Sequence, residues 1–226
     1  MDKIKKGLKW FLDSYIWIVI LVFVFDIASK WIVQNYATAH EISDQGTLVT
    51  VIPNFFHIII SHNLGAAFSL GANGEMGWRI VWIAVSIIMS IGLSWYYAKE
   101  FKKINLLTKI SFSLMIGGAI GNMIDRCFYW NSIVGFDGVI DWLDFEFGSL
   151  GHFATFNIAD AALVIGVILL IIMMIIEAIQ ESKKKAARGE YKYSPKELEE
   201  MEAKKLKEEA SNTESIENNE NKDVNE

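Results

Sequence analysis

The stretch that decides the fold is residues 156–179, FNIADAALVIGVILLIIMMIIEAI. As a single α-helix it is long and apolar enough to cross about 30 Å of hydrocarbon. Its first turn carries Asn157 and Asp160, which share a face at spacing i, i+3, and Leu163–Ile176 is apolar throughout. A carboxylate at membrane depth is unfavourable enough that it usually marks a functional site. The stretch therefore predicts a membrane protein whose functional residues lie at one end of a span.

Three further stretches complete a predicted bundle of four transmembrane helices: Ser14–Asn35, Trp78–Tyr97 and Leu106–Phe128. Hydrophobic residues make up 52 % of the 226-residue chain, a composition that argues against a soluble domain. We therefore expect an all-α polytopic membrane protein with one membrane domain, residues 1–181.

The first span has an alternative interpretation as a cleavable signal peptide. Lys3–Lys9 is a basic segment before it, and Ala37-Thr38-Ala39 fits a cleavage site. However, the apolar run is longer than that of a signal peptide and contains Asp26 and Lys30. We expect a retained span.

Basic residues are distributed unevenly among the segments between spans. They precede the first span, separate the second from the third and follow the fourth, whereas Tyr36–Gly77 and Cys127–Thr155 contain none. Because Lys and Arg concentrate on the cytoplasmic side, both termini are predicted to be cytoplasmic. The two loops without basic residues, and the polar end of the last span, would then face outward.

The outer loops differ in composition. Thr47–Ile52 and Phe55–Ser61 are β-branched and aromatic with Pro53-Asn54 between them, which predicts a small extracytoplasmic β-hairpin or sheet. An apolar re-entrant segment is the alternative, but Thr and His residues interrupt it. The second loop mixes aromatic with acidic residues, which suits a segment in the headgroup region. Its acids Asp137, Asp141 and Asp144 are all candidates for a carboxylate pair with Asp160. Two convergent carboxylates would share one proton and could act as an acid and a base.

Other polar residues in and near the spans are predicted to support this site. Asp26 and Lys30, at spacing i, i+4, form a buried ion pair, with Lys30 reaching outward as the alternative. Gly117 and Gly121 allow close helix packing. Asn122, Asp125 and Arg126 lie on adjacent helical faces, and Asp125 would hold the site and anchor substrate carbonyls; a packed polar cluster is a compatible interpretation. Asn63-Leu64-Gly65-Ala66-Ala67-Phe68 suits an extended peptide held by its main chain, although an ordinary loop would look similar.

Five motifs in order resemble those of the bacterial lipoprotein signal peptidases, the signal peptidase II family. They are Asp26-Ile27-Ala28-Ser29-Lys30, Asn63-x-Gly65-Ala66-Ala67-Phe68, Gly117-Gly118-x-x-Gly121-Asn122-x-x-Asp125-Arg126, Val139-Ile140-Asp141 and Phe156-Asn157-x-Ala159-Asp160. The resemblance covers roughly residues 13–180. It implies an inner-membrane aspartic endopeptidase that removes the signal peptide of a prolipoprotein just before its diacylglyceryl-modified cysteine.

The resemblance also assigns roles to residues. It places the catalytic pair on Asp141 and Asp160, and leaves open which of them carries the shared proton. The matching supporting or substrate-contacting positions are Asp26, Lys30, Asn63, Gly65, Asn122, Asp125, Arg126, Asn157 and Ala159. Trp142 departs from the Phe that the family more often has, and the first outer loop is long.

Two other functions are compatible with intramembrane acids. A proton-coupled carrier would use them as relays, but the chain lacks a repeat that suggests two related halves. A non-catalytic chaperone for lipoproteins would tolerate Asp→Asn changes. For a peptidase we expect lipid-modified prolipoproteins and membrane lipids as partners, a monomer, no nucleic acid, no cofactor and no metal, since the four histidines show no ligand spacing.

Residues 182–226 are predicted to form a separate charged tail on the cytoplasmic side. Lys, Glu and Asn dominate there, a composition that cannot bury a core and indicates solvated helix and disorder. Ser194-Pro195 could begin a short helix that continues through Met201–Glu209.

Overall fold

The computed structural model of this chain describes residues 2–65, 76–129, 134–188, 196–197 and 199–207. The chain divides into two compact units, Met1–Met173 and Met174–Glu226. The first contains the sheet and every candidate site residue. The second contains the end of the last long helix and a helical stretch at 199–207. The predicted helix start at Ser194-Pro195 and residues Ala66–Phe68 lie outside the described residues.

Four helices of the described chain are long and apolar enough to cross a membrane, as predicted. After a short helix α1 (Asp2–Asp13) they are α2 (Ile16–Ala39), α3 (Met76–Glu100), α4 (Leu106–Phe128) and α5 (Ile158–Ala187). The last helix continues past Ile179 into residues assigned above to the tail. An ion pair between Lys185 and Glu181, 2.7 Å apart at spacing i, i+4, supports this extension.

Helix α4 is the central helix of the bundle. In its apolar 18-residue stretch 61 % of the residues are buried, against 6 % in the corresponding stretch of α3. Its small residues permit this position. A Cβ on Gly117 would lie 2.8 Å from Val22 Cβ of α2, and one on Gly118 would collide with the Ala159 carbonyl oxygen of α5. A Cβ on Gly121 would lie 2.6 Å from Asp26 Oδ2. The predicted role of Gly117 and Gly121 in close helix packing is confirmed.

The predicted hairpin is present and is part of a larger sheet. Strands β1 (Thr47–Ile52) and β2 (Phe56–Asn63) pair antiparallel, with Asn54 in the left-handed region at the turn. A third strand, β3 (Val139–Phe145), pairs antiparallel with β2. The sequence analysis placed no strand in the second loop. Acidic residues interrupt its apolar pattern, and its strand partner lies about 80 residues earlier in the chain.

The sheet is fixed to the end of α2 by a small apolar core. Val33 and Ala37 of α2 pack with Ile60 of β2, Ile140 of β3 and Tyr129 after α4. Ile140 is completely buried in this cluster. Because successive strand residues point to opposite faces, burial of Ile140 directs its neighbour Asp141 away from this core.

Candidate active site

Asp141, on β3, is held by two side-chain amides. Asn63 Nδ2 donates to Asp141 Oδ2 at 3.0 Å, and Asn157 Nδ2 donates to Asp141 Oδ1 at 2.6 Å. The residue is only 3 % exposed. Burial, followed by the negative charge of Asp160, raises the pKa of Asp141 from 3.8 to about 7. Asp141 is therefore a carboxyl group that can hold a proton near neutral pH.

Asp160 is fixed by the start of α5. The backbone N–H of Asn157 donates to Asp160 Oδ2 at 3.2 Å, and the backbone N–H of Asp160 donates to Asn157 Oδ1 at 3.0 Å. This reciprocal pair has the geometry of a capping box, with Asn and Asp in place of the usual Ser/Thr and Glu/Gln. Asn122 Nδ2 donates to Asp160 Oδ1 at 2.7 Å. The first turn of α5 thus aims the carboxylate, and α4 supplies a second anchor.

Asn157 joins the two carboxylates. It is fully buried, and its amide group donates to Asp141 Oδ1 and, at 3.2 Å, to Asn122 Oδ1. The same residue exchanges hydrogen bonds with Asp160. The carboxyl groups of Asp141 and Asp160 thus both contact Asn157, the first through its side-chain amide and the second through its backbone N–H.

A buried ionic cluster lies behind this point. Lys30 Nζ is 2.7 Å from Asp26 Oδ2, 2.6 Å from Asp125 Oδ2 and 3.2 Å from Asn122 Oδ1. Asp26, Lys30 and Asp125 are all 0 % exposed. The predicted Asp26–Lys30 pair is confirmed, and the alternative of Lys30 reaching outward is wrong. Full burial also leaves Asp125 no surface with which to anchor substrate, contrary to that expectation.

The cluster orients the amide of Asn122. Its Oδ1 accepts from both Lys30 Nζ and Asn157 Nδ2. Its Nδ2 is consequently directed toward Asp160. Asp26 makes a further contact with the start of α5, since its Oδ1 accepts from the Ala159 backbone N–H at 2.9 Å. Ala159 itself is completely buried, which explains why a small residue stands there.

The end of β2 and the last turn of α4 form the remaining edge. The Gly65 N–H donates to Asn63 Oδ1 at 3.0 Å, which turns the Asn63 amide group toward Asp141. Arg126 Nη2 donates weakly to the Gly65 carbonyl oxygen at 3.4 Å. These contacts link the described start of the Asn63–Phe68 motif to the carboxylate pair.

The competing acids of the second loop have other partners. Asp144 is paired with His152, whose Nδ1 is 2.9 Å from Asp144 Oδ2. Asp137 forms a salt bridge with Arg79, which also donates to the Tyr129 carbonyl oxygen at 2.6 Å. The sequence analysis did not consider Arg79. Its position as the one basic residue at the start of α3, near an acid-rich loop without Lys or Arg, could have indicated this pairing.

A cleft of about 240 Å³ leads to Asp160 between α3, α4 and α5. Its polar end is formed by Asn122, Arg126 and Asp160. Its walls are mostly apolar and are contributed by Trp82, Val85, Ser86, Met89, Leu93, Ala119 and Leu163. The cleft offers an apolar chain a path to the carboxylate. Within the described residues, no group of three or more His, Cys, Asp or Glu side chains is placed to hold a metal ion.

One known protein family matches most of the chain. The profile of the family described as Signal peptidase (SPase) II matches residues 18–176. The chain belongs to the signal peptidase II family. The match includes all four apolar helices for most of their length and every candidate site residue.

Named relatives extend the similarity over most of their own length. The chain is 36 % identical to the lipoprotein signal peptidase of Klebsiella aerogenes over 168 residues, which are 73 % of this chain and 87 % of the relative. It is 37 % identical to that of Tolumonas auensis over 173 residues, 76 % of this chain and 92 % of the relative.

Two solved structures that this chain resembles are bacterial membrane enzymes. A bacterial membrane enzyme solved by the in meso method at 2.3 Å resolution has a TM-score of 0.56 and 32 % identity. The alignment covers 74 % of this chain and 91 % of that one. A second such structure, at 1.9 Å, also has a TM-score of 0.56, with 33 % identity.

Proposed function

We propose that this signal peptidase II family member is an aspartic endopeptidase that uses Asp141 and Asp160 to remove the signal peptide from prolipoproteins. The cleavage would fall just before the diacylglyceryl-modified cysteine. The observation that carries the proposal is the convergence of two carboxyl groups on Asn157 at the end of an apolar cleft. Relatives named lipoprotein signal peptidases support the substrate class.

The chemistry requires the two carboxyl groups in opposite protonation states. We assign the shared proton to Asp141, because its pKa is raised to about 7, and the ionised form to Asp160. Asp160 takes a proton from a water molecule, whose oxygen attacks the scissile carbonyl carbon. Asp141 gives its proton to the carbonyl oxygen. When the resulting diol collapses, the proton on Asp160 passes to the leaving nitrogen and Asp141 is reprotonated from the diol hydroxyl.

Each supporting residue has a part in this scheme. Asn63 and Asn157 hold Asp141, and Asn122 holds Asp160, so neither carboxyl group must be ordered during the reaction. Arg126 lines the cleft beside Asp160 and can donate to a substrate carbonyl oxygen. Gly65, at the edge of the site, leaves room for the substrate backbone to approach.

We also propose that the site faces the outer side of the bacterial inner membrane. Lysines cluster at the opposite ends of the spans. They lie in α1 before α2, in the last turn of α3 at Lys99, and between α3 and α4 at Lys102 and Lys103. By the positive-inside rule those ends are cytoplasmic. The signal peptide would lie along the apolar cleft, and the acyl chains on the cysteine would stay in the outer leaflet.

The test is a gel-shift cleavage assay in detergent with a diacylglyceryl-modified prolipoprotein. A positioned acid or base contributes about 10²–10⁴ in rate, so we expect Asp141→Asn and Asp160→Asn to lose cleavage by at least that factor. Asp144→Asn is the matched control, because Asp144 is also buried on β3 but is paired with His152. We expect it to cleave at the rate of the unmodified chain.

Three outcomes would contradict the proposal. Near-normal cleavage by a folded Asp141→Asn or Asp160→Asn variant would remove those residues from the chemistry. Absence of cleavage by the folded unmodified chain on several lipid-modified substrates would contradict the peptidase activity itself. Loss of activity on addition of a chelator would replace the aspartic mechanism with a metal-dependent one.

A further inference from the structure

The first helix, α1, is separated from the first span by a fixed bend. Tyr15 is in the left-handed region with φ 55°, between the end of α1 at Asp13 and the start of α2 at Ile16. Ser14 is buried and its carbonyl oxygen accepts from the Tyr97 hydroxyl of α3 at 2.9 Å. Trp17 Nε1 donates back across the bend to the Leu12 carbonyl oxygen at 3.3 Å. The helix therefore leaves the bundle at a defined place, next to the end of a span.

Two rows of exposed residues run along α1, and the exposed Trp10 lies beyond the lysines, on the side away from the apolar row. Ile4, Leu8 and Leu12 recur at spacing i, i+4 in one row, and they are 77 %, 58 % and 51 % exposed. Lys5 and Lys9 form a second row at the same spacing, and Lys6 lies beyond it on the side away from the apolar residues. All three lysines are exposed. The bundle thus leaves the apolar row of α1 uncovered.

The position of this apolar row determines what can cover it. Since α2 crosses the membrane and begins three residues after α1 ends, α1 must lie at the membrane surface. A helix with one apolar and one basic face is typical of segments that lie in the plane of the interface. Lysines at a membrane surface favour anionic over zwitterionic headgroups.

We propose that α1 is an interfacial helix that binds anionic phospholipid at the leaflet where α2 begins. Ile4, Leu8 and Leu12 enter the boundary between headgroups and acyl chains. Lys5, Lys6 and Lys9 contact the phosphate groups of anionic lipids. The negative charge of the headgroups complements the lysine row.

The test places an environment-sensitive fluorophore on α1 of the full chain in lipid nanodiscs. Gly7 is the labelling position, because a Cβ there meets nothing within 4 Å. The Gly7→Cys change is made in a Cys127→Ala chain, since Cys127 is the single cysteine. Nanodiscs contain phosphatidylcholine alone, or phosphatidylcholine with about one third phosphatidylglycerol. The readouts are the emission maximum of the NBD label and its quenching by doxyl-labelled lipid.

We expect a blue-shifted, lipid-quenched label in discs that contain phosphatidylglycerol and a more aqueous spectrum in phosphatidylcholine alone. Each lysine removed should lower the inserted-to-free ratio about five-fold. The variant with Lys5, Lys6 and Lys9 changed to Gln should therefore lose the dependence on anionic lipid. The matched control changes Lys99, Lys102 and Lys103 to Gln, three lysines at the end of α3 and just after it, and should keep it.

Three results would overturn the proposal. An aqueous spectrum in discs with phosphatidylglycerol would show that the apolar row is not in the membrane. Equal insertion in both lipid compositions, unchanged by the lysine substitutions, would remove the role of anionic lipid. A blue shift that appears only when two chains share a disc would identify a second copy as the occupant. An unchanged unfolding temperature in detergent confirms that each variant is folded.

Discussion

Replacing Lys30 with Met is the most direct test of the ionic cluster behind the carboxylates. Lys30 Nζ is 2.7 Å from Asp26 Oδ2 and 2.6 Å from Asp125 Oδ2, and none of the three residues has exposed surface. Methionine has a similar length and keeps the packing of the side-chain stem. The substitution therefore removes one cation while it leaves two buried carboxylates in place.

The expected loss of stability is large. Removing one member of a buried ion pair costs about 3–5 kcal/mol, mainly because the remaining charge is left without compensation. Lys30 contacts two carboxylates, so we expect a value near the top of this range. For a chain of this size that corresponds to a fall of roughly 10 °C or more in the unfolding temperature.

The assay is thermal unfolding in one detergent at fixed pH, with the Lys102→Met variant as a control. Lys102 is exposed, so its replacement should change stability by less than about 0.5 kcal/mol. Adding Asp125→Asn to Lys30→Met removes one of the uncompensated charges and should restore part of the loss. Two results would contradict this: Lys30→Met unfolds at the same temperature as Lys102→Met, or Asp125→Asn lowers the unfolding temperature of Lys30→Met further. The ionic cluster would then not stabilise the fold as argued.

Three further predictions concern the same region. Gly121→Ala forces a methyl group against Asp26 Oδ2, so unfolding measurements should show a loss of about 1–3 kcal/mol, whereas Gly92→Ala, with nothing within 4 Å, should show none. Because the pKa of Asp141 rises from 3.8 to about 7 on folding, the unfolded chain releases this proton first as pH increases. Stability should therefore decline between about pH 4 and pH 7, and an Asp141→Asn variant should not show this component when unfolding is followed across that range. Asn157→Ala removes the amide that donates to Asp141 Oδ1 and accepts from the Asp160 backbone N–H, so cleavage should fall about 10²-fold, and retention of the normal rate would refute its positioning role.

The elements that sequence reasoning predicted correctly depend on local patterns. The spans follow from the length of apolar runs, and the hairpin follows from Pro53-Asn54 between two β-branched segments. The Asp26–Lys30 pair follows from helical spacing, and the same spacing placed Asn157 close to Asp160, although not the hydrogen bonds they exchange. Asp26 and Lys30 lie four positions apart, and only residues 53–55 separate the two strands of the hairpin, so no knowledge of the tertiary arrangement was needed.

The contacts that were missed join distant segments. Lys30 pairs with Asp125 as well as Asp26 only because α2 and α4 approach closely at Gly117 and Gly121. Spacing along one helix cannot reveal which face of another helix it meets. Strand β3 was missed for a similar reason, because Asp141 and Asp144 break the apolar alternation that marks a strand with one buried face. The resemblance to signal peptidase II, and not spacing, separated Asp141 from its competitors.

The location of Asp160 at the start of α5 meets the hydrogen-bonding needs of the backbone there. The first N–H groups of a helix have no partner within it, and in a membrane such groups must be satisfied by the protein. At the start of α5, Asp160 accepts from Asn157 N–H, Asn157 accepts from Asp160 N–H and Asp26 accepts from Ala159 N–H. Asp160 thus caps the helix as well as facing the cleft. An Asn at this position keeps an acceptor oxygen for the cap but cannot exchange the proton, whereas Ala would lose both functions. Only the Asn variant can therefore separate a loss of catalysis from a loss of the helix start.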